Sequence, residues 1–147
     1  MYKRILVATD GTKLSKKAVG SAISLAALCG AELVALKVVP RYPVSYFEGG
    51  IALPAEDIKR IEEHWAHEGQ MVVDAIAKLG HKKGVAVKPL TVRGDVVSDA
   101  VLATVEKLDC DLVVMASHGR RGVKRLLLGS ETQQVLTHAK IPVLILK

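Results

Sequence analysis

The chain has 147 residues, half of them hydrophobic but only 3% aromatic, with a formal net charge of +6 and a pI near 9.4. That length and apolar content support a core and exclude a disordered chain, and the scarcity of rings leaves Val, Ile, Leu and Ala to build it, the mixture of parallel strands covered by helices. No run approaches a membrane span, and Cys29 and Cys110 offer neither a metal motif nor CxxC pairing, so a cytoplasmic protein with no membrane partner is expected.

In chain order, Ile5 to Thr9 reads as a buried strand ending in the turn Asp10-Gly11-Thr12. Ala18, Val19, Ala22, Ile23 and Ala26 recur at helical spacing between Leu14 and Cys29, and Gly30 suits a C-terminal cap. Glu32 to Val39 is a second apolar strand, stopped by Pro40. The irregular stretch Arg41 to Pro54, with Gly49-Gly50, has the length of a functional flap. Pro54 opens the longest helix, where Ile58, Ile61, Trp65, Val72, Ile76 and Leu79 trace one face and Gly69 permits close packing. Val85 to Val92 is a third strand, and Gly94-Asp95 starts a helix carrying Val97, Val101, Val105 and Leu108. Asp111 to Ser117 is a fourth strand, buried on both sides. The basic, glycine-punctuated stretch His118 to Leu128 leads to a last helix near Ser130 and a final strand, Pro142 to Leu146.

This alternation predicts a doubly wound, five-stranded parallel sheet with helices on both faces, a Rossmann-like α/β fold in one domain over residues 1–147. Ligands of such sheets sit at the carboxyl ends of strands where the winding reverses, which directs attention to Asp10-Gly11-Thr12 and to His118–Ser130. In the second segment Gly119 and Gly129 let backbone approach phosphate oxygens, Gly129-Ser130 precedes a helix start, and Arg120, Arg121, Lys124 and Arg125 add positive charge. Together they describe a phosphate cradle.

A purely structural account fits the same residues. Ser130 with Gln133 forms a capping-box pattern, the cations suit a solvated loop, and a turn Asp such as Asp10 bonds its own downstream amides. Neither a Walker A loop nor GxGxxG occurs. His118 lacks the base-and-orienter pattern of catalysis and reads as structural; His64 and His67 read as surface residues, and Trp65 as core or dimer contact.

The opening Ile-Leu-Val-Ala-Thr-Asp-Gly, the strand ending at Val38-Val39, and Ser-His-Gly-Arg…Leu-Leu-Leu-Gly-Ser…Pro-Val-Leu-Ile-Leu resemble the universal stress protein family along essentially the whole chain. Members that bind ATP carry Gly, two residues, Gly, nine residues, then Gly-Ser or Gly-Thr. Gly119 and Gly129-Ser130 match the later positions, while Ala116 replaces the first glycine. Alanine is tolerated there if the backbone is extended and obstructive if it needs a positive φ.

The resemblance implies an adenine nucleotide α-hydrolase-like fold and a stress-response regulatory switch holding ATP, with or without Mg2+, and hydrolysing it slowly or not at all; AMP and cyclic AMP rank behind. It implies Asp10 near adenine or ribose, backbone contacts from Val39, and ribose and phosphates held by Gly119, Gly129, Ser130 and Thr132. Thr9, Met115, Ala116, His118 and Glu131 complete the expected site, with Arg120 added on its charge and position and not as part of the motif, and with no catalytic residue and no protein-bound metal. It also implies a homodimer through the edge strand Val143–Leu146. Nucleic acid is not expected, since basic and aromatic residues do not interleave. The alternative function is a nucleotide-independent dimeric interaction module.

Overall fold

A computed structural model describes residues 1–43, 53–119 and 128–147. The elements are β1 (Arg4–Ala8), α1 (Lys13–Cys29), β2 (Glu32–Val39), α2 (Ala55–Lys82), β3 (Val87–Arg93), α3 (Val97–Lys107), β4 (Leu112–Ala116), α4 (Ser130–His138) and β5 (Val143–Leu146). All strand pairs are parallel and the order is β3-β2-β1-β4-β5, so the winding reverses between β1 and β4. This is the doubly wound, Rossmann-like α/β fold that the alternation of elements predicts. No helix among the described residues is long and apolar enough to cross a membrane.

Strand alternation divides the core into two layers. Ile5, Val7, Leu33, Ala35 and Val114 face α1 and α2, where Ala18, Ala22, Ala26, Val73 and Ile76 meet them. Leu6, Val34, Leu36 and Val113 face the other way, onto Val101, Val105 and Val135 of α3 and α4. The alanines of α1 allow that helix to lie close to the sheet. Its C-cap is Gly30, whose φ of 65° lies in the left-handed region.

On α2 the buried face runs through Gly69, Val73, Ile76, Ala77 and Gly80, whereas Leu79, expected on it, is 53% exposed. A Cβ at Gly69 would lie 2.9 Å from Val39 Cγ2, and one at Gly80 would overlap Val87 Cγ2. The helix therefore seats on β2 and β3 through positions with no side chain. Trp65 stacks on Tyr42, ring centroids 6.3 Å apart, and His64 pairs with Glu68 on an exposed face. α3 begins at Val97, two residues later than expected from Asp95, and β3 spans Val87 to Arg93 rather than starting at Val85. β5 lies at a sheet edge, with Leu144 40% exposed. Most of the Arg41–Pro54 stretch, residues 44–52, lies outside the described residues, as do Arg120, Arg121, Lys124 and Arg125 of the basic segment.

Candidate functional site

The first wall of the site is the turn after β1. Thr9 donates its amide to the Leu36 carbonyl at 3.0 Å, tying the end of β1 to β2. Its hydroxyl sits 3.0 Å from that of Ser15 and accepts the Gly11 amide at 3.2 Å. Asp10 Oδ1 accepts from the Thr12 amide at 2.9 Å and the Thr12 hydroxyl at 2.6 Å, and Gly11 completes the turn with a φ of 81°. Thr12 in turn caps α1 by accepting the Ser15 amide. Burial raises the Asp10 pKa, but hydrogen bonds from Thr12 and Ser15, with the nearby Lys37 charge, outweigh it and hold the carboxyl below its ordinary 3.8.

The second wall is the junction of β4 with α4. Ser117 donates its amide to the Leu146 carbonyl at 2.8 Å, and its own carbonyl accepts the Gly129 amide at 2.7 Å. That bond draws the start of α4 against the end of β4 across the basic segment. Thr132, 3% exposed, donates its hydroxyl to the Ala116 carbonyl at 2.9 Å. Its hydroxyl is thus engaged in holding α4 to the strand. Gly129 is the N-cap of α4 and Ser130 its first residue, with no side-chain cap, so the Ser130–Gln133 capping box does not form and the Ser130 side chain faces solvent. Ser117 Oγ lies 3.2 Å from His118 Nδ1.

Between these walls lies a cavity of about 430 Å³ at the carboxyl ends of β1, β2 and β4. Thr9, Asp10, Met115, Ala116, His118, Gly119, Gly129, Ser130, Glu131 and Thr132 all line it. Val39 does not: alternation turns its side chain toward Gly69, and its carbonyl accepts the Gly94 amide at 3.1 Å. Arg120 lies outside the described residues. The sequence reading missed Lys37, Val38, Leu36, Ala8, Ser15 and Val97, which also line the cavity. Lys37 carries a legible signal, a lone cation within the otherwise apolar run of β2 after Glu32.

Two glycines are fixed by close approach. A Cβ at Gly129 would stand 3.3 Å from His118 Cα and 3.4 Å from the Ser117 carbonyl oxygen, both backbone atoms; one at Gly119 would stand 2.7 Å from Asp10 Oδ2. Ala116 ends a regular strand, and Asp109 is the one positive-φ non-glycine among the described residues, so a methyl group at 116 meets no backbone obstacle.

The model of the universal stress protein family matches residues 1–147. Universal stress protein MJ0531 of Methanocaldococcus jannaschii is 36% identical over 148 residues, covering 100% of this chain and 83% of its own. The solved structure of MJ0577 from the same organism superposes with a TM-score of 0.86 at 26% identity, covering 100% of this chain and 96% of that one. A universal stress protein in complex with cAMP shares the fold, with a TM-score of 0.70 at 24% identity over 99% of this chain and 97% of that one.

Proposed function

This chain belongs to the universal stress protein family, and from that premise we propose that it binds an adenine nucleotide in the cavity between β1 and β4, with ATP as the principal ligand. The observation that carries this reading is the close approach at Gly119 and Gly129, where bare backbone borders a cavity of about 430 Å³ at the winding reversal. A side chain at Gly119 would meet the Asp10 carboxylate and one at Gly129 the backbone of Ser117 and His118, so the two walls keep this spacing only with glycine at both positions. The start of α4, with Ser130 exposed, supplies free amides and the positive end of a helix to the same place. On the opposite wall, the ionised Asp10 suits ribose hydroxyls as donors, and Met115 and Val38 offer apolar surface to a base. A universal stress protein solved with cAMP supports an adenylate as the class to test first.

In this reading the protein works by holding the nucleotide rather than by turning it over. Binding one conformer more tightly shifts the population, which makes it a switch in a stress response. The edge strand β5 joins two copies into a homodimer, and light scattering that returned a monomer at micromolar concentration would overturn that element. The expected location is the cytoplasm, against which recovery in a membrane fraction would count.

The direct experiment is acid extraction of nucleotide from the purified protein, followed by calorimetric titration with ATP and magnesium, AMP and cyclic AMP. Co-purifying ATP or ADP, or micromolar binding, supports the reading. A protein that ignores all of them is a nucleotide-independent interaction module.

A further inference from the structure

Glu131 joins the two helix starts that border the cavity. α3 begins after Val96, and no side-chain cap of its own satisfies its first amides. The Ser98 amide donates instead to Glu131 Oε2 at 2.7 Å, from the first turn of α4. Ser98 is 2% exposed, so this bond satisfies an amide that water does not reach freely. Val97, Ser130, Glu131 and Thr132 form one wall of the cavity, and a carboxylate already sits between two positive helix ends there.

An internal anion in that position ties α3 to α4 and opposes any further negative charge arriving beside it. Resting on the nucleotide reading above, we propose that Glu131 makes the site discriminate among nucleotides by phosphate charge. A monophosphate enters without help. A triphosphate enters as its complex with a divalent cation, whose charge offsets the added phosphates. Glu131 is in this sense a specificity-determining residue whose carboxylate both caps α3 and sets the charge the site accepts.

The test compares wild-type protein with Glu131→Gln and Glu131→Ala, titrated with AMP and with ATP, each in magnesium and in excess EDTA. Glutamine keeps an acceptor for the Ser98 amide and removes the charge; alanine removes both. In the wild type, metal-free ATP is expected to bind about tenfold more weakly than ATP with magnesium, while AMP differs less than about threefold between the two conditions. In Glu131→Gln the ATP gap closes to about threefold or less with an unchanged melting temperature; Glu131→Ala closes it too and melts lower. A magnesium gap of equal size in all three proteins overturns the inference and leaves the nucleotide reading standing. Failure of every nucleotide to bind the wild type overturns both.

Discussion

Gly119 closes on Asp10 so tightly that a Cβ at position 119 would stand 2.7 Å from the Asp10 Oδ2 atom. The carboxylate cannot swing aside freely, because its other oxygen is held by the Thr12 hydroxyl at 2.6 Å and the Thr12 amide at 2.9 Å. The segments after β1 and after β4 are therefore matched in shape at this contact. Gly119→Ala is expected to weaken adenine-nucleotide binding about tenfold, through displacement of Asp10 or of residue 119, while the melting temperature moves by less than about 3 °C. Calorimetry and a thermal melt separate the two effects, and unchanged affinity would mean that the loop yields without cost.

Gly80 makes the analogous contact away from the site. Gly80 lies in the last turn of α2, where alanine would ordinarily favour the helix over glycine by up to about 1 kcal/mol. Here the new methyl overlaps Val87 Cγ2, so Gly80→Ala is expected to destabilise the fold by about 1–3 kcal/mol. Adding Val87→Ala removes the overlapping atom, and the double variant should lose less than the two single losses combined. Urea denaturation of the four proteins decides it; additive losses would locate the strain elsewhere.

The Asp10 carboxyl titrates below its ordinary value in the folded protein. The unfolded chain therefore binds its proton first as pH falls, and stability rises with pH through that window. The contribution is fully present above about pH 4, near the unfolded value, and disappears as pH drops through the lower folded value. Asp10→Asn should accordingly be less stable than wild type at pH 7, with the difference shrinking at the acid end of the window. Denaturant midpoints at pH 7, 4 and 3 provide the check, and a difference independent of pH would contradict it.

Burial pushes the Cys110 thiol up to about 11, and the residue is 5% exposed. At pH 8 it holds almost no thiolate, the form that reacts. Cys29, partly exposed at the end of α1, is expected to react with an aromatic disulfide reagent while the protein is folded, and Cys110 only as it unfolds. Two thiols reacting at similar rates under native conditions would refute this.

Much of the fold was legible in the sequence because the strands are continuous apolar runs and the helices repeat small residues at helical spacing. Ile5 to Val7 and Leu112 to Met115 announce strands covered on both faces, as found. Failures came where packing depends on missing atoms. Hydropathy favoured Leu79 for the buried face of α2, yet the helix seats on β3 through Gly80, which carries no hydrophobic signal. At the site, the residues beside the glycines line the cavity because chain direction and short connections fix where β1 and β4 end. Val39, expected to offer backbone contacts, turns its side chain away from the cavity for a geometric reason. One step along β2 reverses the side chain, so Val38 lines the cavity and Val39 packs toward Gly69. The cross-cap from Glu131 to Ser98 spans separate helices, and no local spacing could announce it.

The strand order has a consequence for how the site comes into being. β1, β2 and β3 are neighbours both in the chain and in the sheet, so that half can assemble from nearby segments. The cavity cannot, because Ile5 finds its other partner only at Leu112, and the helix start that completes the opposite wall follows at Ser130. Closing so long a loop costs conformational entropy before any contact across it repays that cost. The pocket is thus a property of the finished chain, and a ligand seated in it certifies that both halves of the sheet have met.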